Sequence, residues 1–489
     1  MQITEMTAVE LGRRIRNREL SAVEAAEAVY GSYLAEDGEL NAYASFDMER
    51  VRQSAQQVQE RIDRGDAGSI LAGVPIGVKD NICTRGELTT CASKILTGFK
   101  PPFDATVIEK ARKAGMVVAG KMNMDEFAMG STSETSCYGS VRNPWNPEHV
   151  PGGSSGGAAA AVAADEAICA LGSDTGGSIR QPASYCGVTG FKPSYGAVSR
   201  YGLIAYASSL DQIGPIAKDV LDCAAIMDVI SGKDPMDSTS VPVESGASFY
   251  GSMTGEIKGK TVGVPKECFD SGVDPDVRES VEASIRELEK LGAKAKPISL
   301  PFIRYAVPTY YIIATAEASS NLSRFDGIKY GFRSEASDTI DNLIVNSRSE
   351  GFGPEVRKRI LLGTFVLSSG YYDAYYNKAL KMKQLIMDGF DAAFRDCDVI
   401  VCPTAPMTAP KLGSSLDDAM KMYLSDIFTV SVNLAGLPGL SVPCGFDRNK
   451  MPIGAQIIGA AGNDRTVLNM GYAFQTATDY HTRTPGESR

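Results

Sequence analysis

The sequence predicts an α/β fold in which helices accompany one large β-sheet. Short apolar runs alternate with helical segments and Gly/Ser loops, an order typical of a wound sheet. Glycine is concentrated in residues 71–215, where this alternation is clearest. The chain has 489 residues, 43% of them hydrophobic, so it is long enough to bury such a core without disulfides.

Apolar patterning predicts the individual elements. We predict strands at 74–78, 116–119, 167–171, 261–264, 293–298, 398–401, 439–442 and 453–458. We predict helices at 104–113, 158–164, 277–291 and 465–478.

Three further stretches complete the predicted organisation. Residues 1–66 are rich in charge and predict two or three amphipathic helices. The Ser/Gly/Thr/Pro-rich stretch 232–258 predicts a long connection. Pro354 followed by Glu355 predicts the start of one long helix that runs towards Arg395.

The charge balance limits the classes of function. Lys and Arg number 49 against 59 Asp and Glu, a net charge of −10. Such a chain cannot by itself neutralise the phosphates of a strongly bound nucleic acid, so any RNA would be held mainly by another chain. The first residues contain no apolar signal core and no apolar run reaches the length of a membrane span, so we expect a cytoplasmic protein. Its ten cysteines form no CxxC pair and are expected to be reduced and mostly buried.

Histidine is scarce, which restricts the possible chemistry. His149 and His481 are the only two, leaving little room for a His-based triad or metal site, and we expect no metal. Residues 115–122 nearly match a phosphate-binding loop but lack its final Ser/Thr, so a strand is favoured there. Residues 152–156 match G-x-S-x-G, but the His that should follow is only His481, near the chain end.

Three other features point together to amide chemistry. Lys79 ends an apolar strand, where it is either an ordinary exposed lysine or a buried base whose pKa is lowered. The Gly/Ser loop 151–157 leads into an Ala-rich helix, so it is less typical of a linker than of a site. The run 172–180 follows a buried strand, and its small residues would expose backbone N–H groups as an oxyanion hole requires, with Ser178 beside them as a nucleophile.

These residues make the sequence similar to the amidase signature family. The carrying stretches are Gly152–Gly157 and Asp174–Ala183, with Lys79 in the family's strand-end context, and the likeness runs from Leu71 to Gly459. The resemblance implies a large mixed sheet flanked by helices, with an N-terminal helical region, 1–70, packed on an amidase signature domain, 71–489. Stretches 120–131, 355–364 and 422–429 further resemble the branch of the family that hydrolyses glutamine for tRNA-dependent amidotransferases.

The resemblance also implies catalytic roles. Ser178 would be the acylated nucleophile, Ser154 the proton relay and Lys79 the base, and the peptide bond before Ser154 would be cis. The backbone N–H groups of Thr175, Gly176, Gly177 and Ser178 would form the oxyanion hole.

For glutamine recognition, the sequence alone favours structural roles for Arg359 and Asp426, whereas the resemblance favours binding roles. Arg359 would then bind the substrate carboxylate and Asp426 its ammonium group. Because Arg357, Lys358 and Arg359 are consecutive, a shift of one residue would move the role to Lys358; we favour Arg359 because it precedes the apolar run Ile360–Leu362. Tyr310 is a candidate wall of the pocket.

The leading hypothesis is therefore a glutaminase subunit of a heterotrimer that converts Glu-tRNA(Gln), Asp-tRNA(Asn) or both. The resemblance implies no cofactor in this chain, with ATP, Mg²⁺ and most of the tRNA on partner subunits. A free-standing amidase for a small carboxamide is the alternative. A scaffold with a dead site is disfavoured because it would need none of Lys79, Ser154 and Ser178.

Overall fold

One mixed β-sheet organises the chain in its computed structural model, which describes residues 2–66, 68–243, 247–270, 272–336, 338–414 and 425–488. Its strands are β1 (Tyr43–Ser45), β2 (Pro75–Lys79), β3 (Val117–Met122), β4 (Cys169–Asp174), β5 (Thr189–Lys192), β6 (Gln212–Ala217), β7 (Thr261–Pro265), β8 (Lys294–Ile298), β9 (Val399–Pro403), β10 (Gly439–Phe446) and β11 (Pro452–Gly459). They lie in the order β1-β3-β2-β4-β6-β5-β10-β11-β9-β7-β8.

The sheet combines two parallel regions with an antiparallel centre. Strand β2 runs parallel to both β3 and β4, and β7 runs parallel to both β8 and β9. The strands between them, from β6 through β5, β10 and β11, pair antiparallel. Because the carboxyl ends of parallel strands meet at one edge, the ends of β2 and β4 are adjacent.

Helices cover both faces of this sheet. Those of the described ranges are α1 (Ala8–Arg16), α2 (Ala22–Leu40), α3 (Met48–Asp63), α4 (Thr106–Lys113), α5 (Gly156–Ala163), α6 (Arg180–Cys186), α7 (Val220–Ile230), α8 (Pro275–Lys290), α9 (Ala306–Asn321), α10 (Ile340–Gly351), α11 (Pro354–Leu367), α12 (Asn377–Ala393), α13 (Val430–Leu434) and α14 (Asp464–Ala477). None of these is both long and apolar enough to cross a bilayer.

Every predicted strand is present, but three strands escaped prediction. Strands β1 and β5 have only three and four residues, too few to show a clear period. Strand β6 contains Gly214 and Pro215, residues that normally argue against a strand inside a sheet. It nevertheless pairs along its whole length with β4, where Pro215 lies opposite Leu171.

The prediction of one long helix from Pro354 to Arg395 was wrong. Helix α11 ends at Leu367, and α12 begins only at Asn377, after a π-helical turn at Tyr372–Tyr376. Gly370 between them has φ +87°, a left-handed conformation that ends a right-handed helix and that glycine adopts without strain. The signal was in the sequence, as Ser368-Ser369-Gly370, but the apolar residues on either side obscured it.

The N-terminal region is helical and packs on the sheet. It contains three helices, α1 to α3, and the small strand β1, which pairs with β3. Leu11, Val29 and Val58 belong to the same buried cluster as Val78 of β2. Nine of the ten cysteines are buried, and all ten are unpaired, which confirms the prediction of mostly buried thiols.

Candidate active site

Lys79 lies at the carboxyl end of β2, beside the end of β4, and is fully buried. Its Nζ donates hydrogen bonds to Ser154 Oγ and Ser155 Oγ, both at 2.8 Å, and to the Ser173 carbonyl at 3.2 Å. The choice left open by the sequence, between an exposed lysine and a buried one, is thus decided for burial. Apolar strand residues place the amine against two hydroxyl groups and away from bulk water.

Burial changes the protonation of this amine. Loss of solvation is the largest effect and lowers the pKa of Lys79 to about 7, although the negative charges of Asp125 and Asp174 favour the ammonium form. At neutral pH a large fraction of Lys79 is therefore uncharged. An uncharged amine in contact with Ser154 can accept a proton from it.

The Gly/Ser loop that carries Ser154 is held by the segment around Asp125. The Gly153–Ser154 peptide bond is cis, as the family resemblance implied. The Asp125 N–H group donates to the Ser154 carbonyl at 3.3 Å, and a Cβ atom added to Gly153 would lie 2.1 Å from Asp125 Oδ2. Glycine is thus required at position 153 by the close approach of this carboxylate.

Ser178 follows β4 and lies next to the Ser154 loop. The Ser155 N–H group donates to the Ser178 carbonyl at 3.1 Å, which joins the two loops. Ser178 is 7% exposed, whereas Lys79 and Ser154 are fully buried, so Ser178 is the member of the trio that reaches the surface of the site. Its hydroxyl makes no hydrogen bond with the described residues; in ligand-free sites such contacts often form only once substrate is bound.

Of the four N–H groups assigned to an oxyanion hole, one is already engaged. The Gly177 N–H group donates to Asp174 Oδ1 at 2.8 Å. The N–H groups of Gly176 and Ser178 make no hydrogen bond with the part of the chain that the structure describes. The Thr175 N–H group also makes no hydrogen bond with the described residues, so three of the four donors are available to an oxyanion formed at Ser178. The Thr175 hydroxyl group donates to Asp211 Oδ1 at 2.7 Å.

A buried ion pair, which no motif in the sequence indicated, shapes the nucleophile loop. Arg180 binds Asp174 through two hydrogen bonds of 3.0 Å, and both residues are fully buried. Burial raises the pKa of Asp174, but the adjoining positive charges, above all Arg180, outweigh it and hold that pKa below its usual range. The only available sequence signal was a charged residue two positions after Ser178, in a stretch of otherwise small residues.

The same arginine joins the nucleophile loop to a second part of the site. Its Nη2 donates to Asn433 Oδ1 at 2.5 Å, and Thr429 Oγ1 donates to the Gly176 carbonyl at 2.6 Å. Thr429 and Asn433 belong to the segment that also carries Asp426. Arg180 is therefore a positioning residue between the catalytic loop and the candidate binding residues.

Arg359 points into the protein from α11 and is 3% exposed. It donates to Glu355 Oε1 at 2.8 Å, to the Tyr206 hydroxyl at 2.7 Å and to the Tyr311 hydroxyl at 3.3 Å. A guanidinium has five N–H donors, so two are left for a carboxylate. The side chain of its neighbour Lys358 is 47% exposed, which favours the register chosen from the sequence. The sequence argument for Arg359 was that it precedes the apolar run Ile360–Leu362. That argument is not supported, because Leu361 and Leu362 are exposed.

Asp426 lies beside the nucleophile loop with one oxygen unpaired. Ser131 donates a short hydrogen bond to Oδ2, whereas Oδ1 is shielded from solvent and has no partner among the described residues. A Cβ atom added to Gly177 would lie 3.4 Å from that Oδ1. Burial raises the pKa of Asp426 to about 7, so an incoming cation would stabilise the ionised carboxylate. Residues 422–424, which belong to the stretch 422–429 that resembles the glutamine-hydrolysing branch of the family, lie outside the described residues.

Tyrosines connect Arg359 to the catalytic loop. A Cβ atom added to Gly176 would lie 2.8 Å from Tyr310 Cζ, so this ring packs against the loop. Tyr206 is hydrogen-bonded to Tyr310 as well as to Arg359. No signal in the sequence pointed to Tyr206, because it lies in a loop about 30 residues after Ser178 with no motif around it.

The rejected motifs lie apart from this site. Residues 115–122 contain β3, whose buried Lys121 donates to the Ile82 carbonyl at 2.5 Å, so they form a strand as predicted. His149 Nδ1 contacts the Ala409 carbonyl at 2.6 Å. Across the described ranges, no group of three or more His, Cys, Asp or Glu residues is arranged to hold a metal ion.

Comparisons with known proteins assign the chain to one family. The sequence profile of the Amidase family matches residues 24–468, and the chain belongs to that family. Among curated relatives, the A subunit of glutamyl-tRNA(Gln) amidotransferase from Lachnospira eligens is 57% identical over 477 residues, 98% of this chain and 99% of that protein. The protein of the same name from Bacillus cytotoxicus is 51% identical and covers 99% of each chain.

Solved structures give the same fold. The crystal structure of the glutamyl-tRNA(Gln) amidotransferase A subunit from Thermotoga maritima has 42% sequence identity and a TM-score of 0.78, covering 96% of this chain and 94% of that one. The peptide amidase PAM, solved with the competitive inhibitor chymostatin, has 28% identity and a TM-score of 0.84, covering 96% and 97%. The fold is therefore shared by enzymes with different names, and the recognition residues must separate them.

Proposed function

We propose that this chain is the glutamine-hydrolysing subunit of a tRNA-dependent amidotransferase. The observation that carries the proposal is the placement of two charged groups beside the nucleophile loop: the unpaired oxygen of Asp426 lies against Gly177, and Arg359 is linked to the same loop through Tyr206 and Tyr310. A free amino acid presents a carboxylate and an ammonium group, and these two side chains match both charges. The relatives named as the A subunit of glutamyl-tRNA(Gln) amidotransferase support the same assignment.

The proposed reaction begins with attack of Ser178 Oγ on the carboxamide carbon of glutamine. Ser154 accepts the proton from Ser178 and passes its own to the uncharged Lys79 amine, and the N–H groups of Gly176 and Ser178 stabilise the oxyanion. When the tetrahedral intermediate collapses, the proton returns through Ser154 to the leaving nitrogen. The products of this step are ammonia and a γ-glutamyl ester on Ser178, and water then releases glutamate.

The proposal also divides labour between chains. The ammonia would be used at a separate transamidation site, with ATP and Mg²⁺ bound by a partner subunit, in a heterotrimer. A net charge of −10 agrees with most tRNA contacts lying on another chain. The aminoacyl substrate would be Glu-tRNA(Gln), Asp-tRNA(Asn) or both.

A free-standing amidase acting on a small carboxamide is the second candidate, and the likeness to the peptide amidase PAM favours it. The two candidates differ in how they treat charge on the substrate. A simple amidase has no use for both a buried arginine and an unpaired carboxylate in its pocket. It would also hydrolyse its substrate at the same rate with and without partner subunits.

The decisive experiment compares two nitrogen donors in the assembled complex. Ser178→Ala should abolish amidation of charged tRNA driven by glutamine while leaving amidation driven by ammonium salts near the wild-type rate. The ammonia-driven reaction is the internal control for folding and assembly. Equal loss of both activities would contradict a separate transamidation site, and full retention of both would remove Ser178 as the nucleophile.

A further inference from the structure

The outer face of α11 and the turn after it expose an unusual number of large apolar side chains. We call the set Leu361, Leu362, Phe365, Tyr371, Tyr372 and Tyr375 the α11 patch. Each of these residues is between 42% and 70% exposed. With about 200 Å² for each residue, the patch presents on the order of 600 Å². That is at the upper limit for the largest patch of a typical monomer and approaches the ~800 Å² that each partner contributes to a standard interface.

Most of these side chains lie next to one another. The Phe365 and Tyr371 rings have centroids 4.3 Å apart, and the Tyr371 and Tyr375 rings are 6.0 Å apart. Leu361 and Leu362 lie one helical turn before Phe365 on the same face of α11. The opposite face of α11 packs against the rest of the protein, since Val356 and Arg359 are buried.

Charges around the patch are strongly biased. Among the exposed side chains of residues 357–381, Arg357, Lys358, Lys378 and Lys381 are basic and Asp373 alone is acidic, in a chain whose net charge is −10. Arg357, Lys378 and Lys381 are exposed near the ends of the two helices that flank the patch. A basic border around an apolar centre selects a partner whose own border is acidic.

We infer that the α11 patch is the surface on which a partner subunit of the amidotransferase docks, through an apolar segment flanked by acidic side chains. The inference rests on the proposed function, since it needs an assembly. It goes further because it gives the position of one partner, which binds the face of α11 opposite Arg359.

Three features favour a protein over RNA as the occupant. Stacking of bases needs open ring faces, and the Phe365 and Tyr371 rings are packed against each other at the surface. Leu361, the most exposed residue of the patch at 70%, offers area for apolar burial and nothing for base stacking. In addition, a single basic segment on an otherwise acidic chain offers few cations for the binding of phosphates.

The test measures assembly of the full-length chain with the other amidotransferase subunits. Leu361→Asp and Phe365→Asp should each weaken association at least tenfold in a surface-immobilised binding assay. Leu34→Asp is the matched control, because Leu34 is 65% exposed on α2, away from the patch, and it should bind as wild type. Lys378→Glu with Lys381→Glu should weaken association and reduce its dependence on salt, whereas Lys294→Glu on β8 should not.

Each result decides the inference. Wild-type association of both Asp variants would overturn it, as would failure of the wild-type chain to associate with those subunits. Loss of tRNA binding or of self-association with assembly intact would assign the patch to RNA or to a second copy, and would also overturn it. Glutamine hydrolysis by the Ser178→Ala chain, compared with the wild-type chain, reports separately on the proposed function, so the two failures are distinguishable. Circular dichroism of each variant confirms folding.

Discussion

The two sides of the candidate pocket are built in different ways. Lys79, Ser154 and Ser178 lie at the ends of adjacent strands or in loops that follow them, within 100 residues of chain, and are held by buried hydrogen bonds. Arg359 and Asp426 come from distant segments outside the sheet, and α11 is exposed on its outer face. The first side fixes bond-breaking geometry for any amide, whereas the second selects which amide is presented. Substitutions on the two sides should therefore separate kcat from KM.

The largest effect is expected on the catalytic side. Lys79→Met keeps an apolar chain of similar length but removes the base, so kcat should fall on the order of 10⁴-fold for every amide. Steady-state hydrolysis of glutamine and of a short uncharged amide such as butyramide measures it. Similar loss on both substrates supports the division between the two sides, and loss on glutamine alone would contradict it.

A smaller, selective effect is expected for Arg359→Ala. Removing a buried guanidinium that pairs with the substrate carboxylate should raise the glutamine KM about 100-fold. Hydrolysis of butyramide, which has no carboxylate, should change less than threefold. Lys358→Ala is the matched control on the same helix and should leave both substrates unaffected. Equal damage to both substrates by Arg359→Ala would mean that its role is structural.

Asp426→Asn tests the other charge of the amino acid. The change preserves shape and the contact with Ser131 but removes the negative charge, so the glutamine KM should rise about 20-fold. Butyramide hydrolysis should again be nearly constant. A glutamine KM within twofold of wild type would show that the unpaired Oδ1 does not bind the ammonium group.

The pH profile gives the smallest effect and compares both sides in one protein. Lys79, with a pKa of about 7, acts as a base only when unprotonated, so kcat/KM for butyramide should fall about tenfold for each pH unit below 7. Asp426 also has a pKa of about 7 and binds an ammonium group only when ionised. The glutamine profile should therefore be steeper below pH 7 than the butyramide profile. A butyramide rate that is constant from pH 6 to 8 would remove Lys79 as the titrating base.

The same contrast explains how well each side could be predicted. The catalytic residues lie in short, contiguous motifs, and apolar patterning correctly placed strands at 74–78 and 167–171, so their meeting at one sheet edge follows from topology. Arg359 was chosen for its position next to an apolar run, yet Leu361 and Leu362 in that run face outward. The choice was supported by the burial of Arg359, which periodicity on one helix could suggest but not establish.

Some contributions were out of reach for a different reason. The ion pair of Asp174 with Arg180 and the hydrogen bonds of Tyr206 with Arg359 join residues whose importance lies only in their partners. The engagement of the Gly177 N–H group by Asp174 likewise depends on how the loop folds back on its strand. No local pattern indicates these contacts. Tyr206 and Arg359 are 153 residues apart in the chain, and the contacts of Asp174 with Arg180 and Gly177 depend on burial by other segments, such as the one that carries Asn433.

Local patterning was enough to predict where most strands and helices lie along the chain, the position of Lys79 at a strand end and the two serine loops. These features depend on periodicity and on contiguous small residues. Three properties became visible only in the folded chain: the Lys79 amine is buried against Ser154, Arg359 faces inward, and one Asp426 oxygen is left unpaired. They arise when distant segments exclude water together, and desolvation is a property of the packed chain rather than of any segment within it.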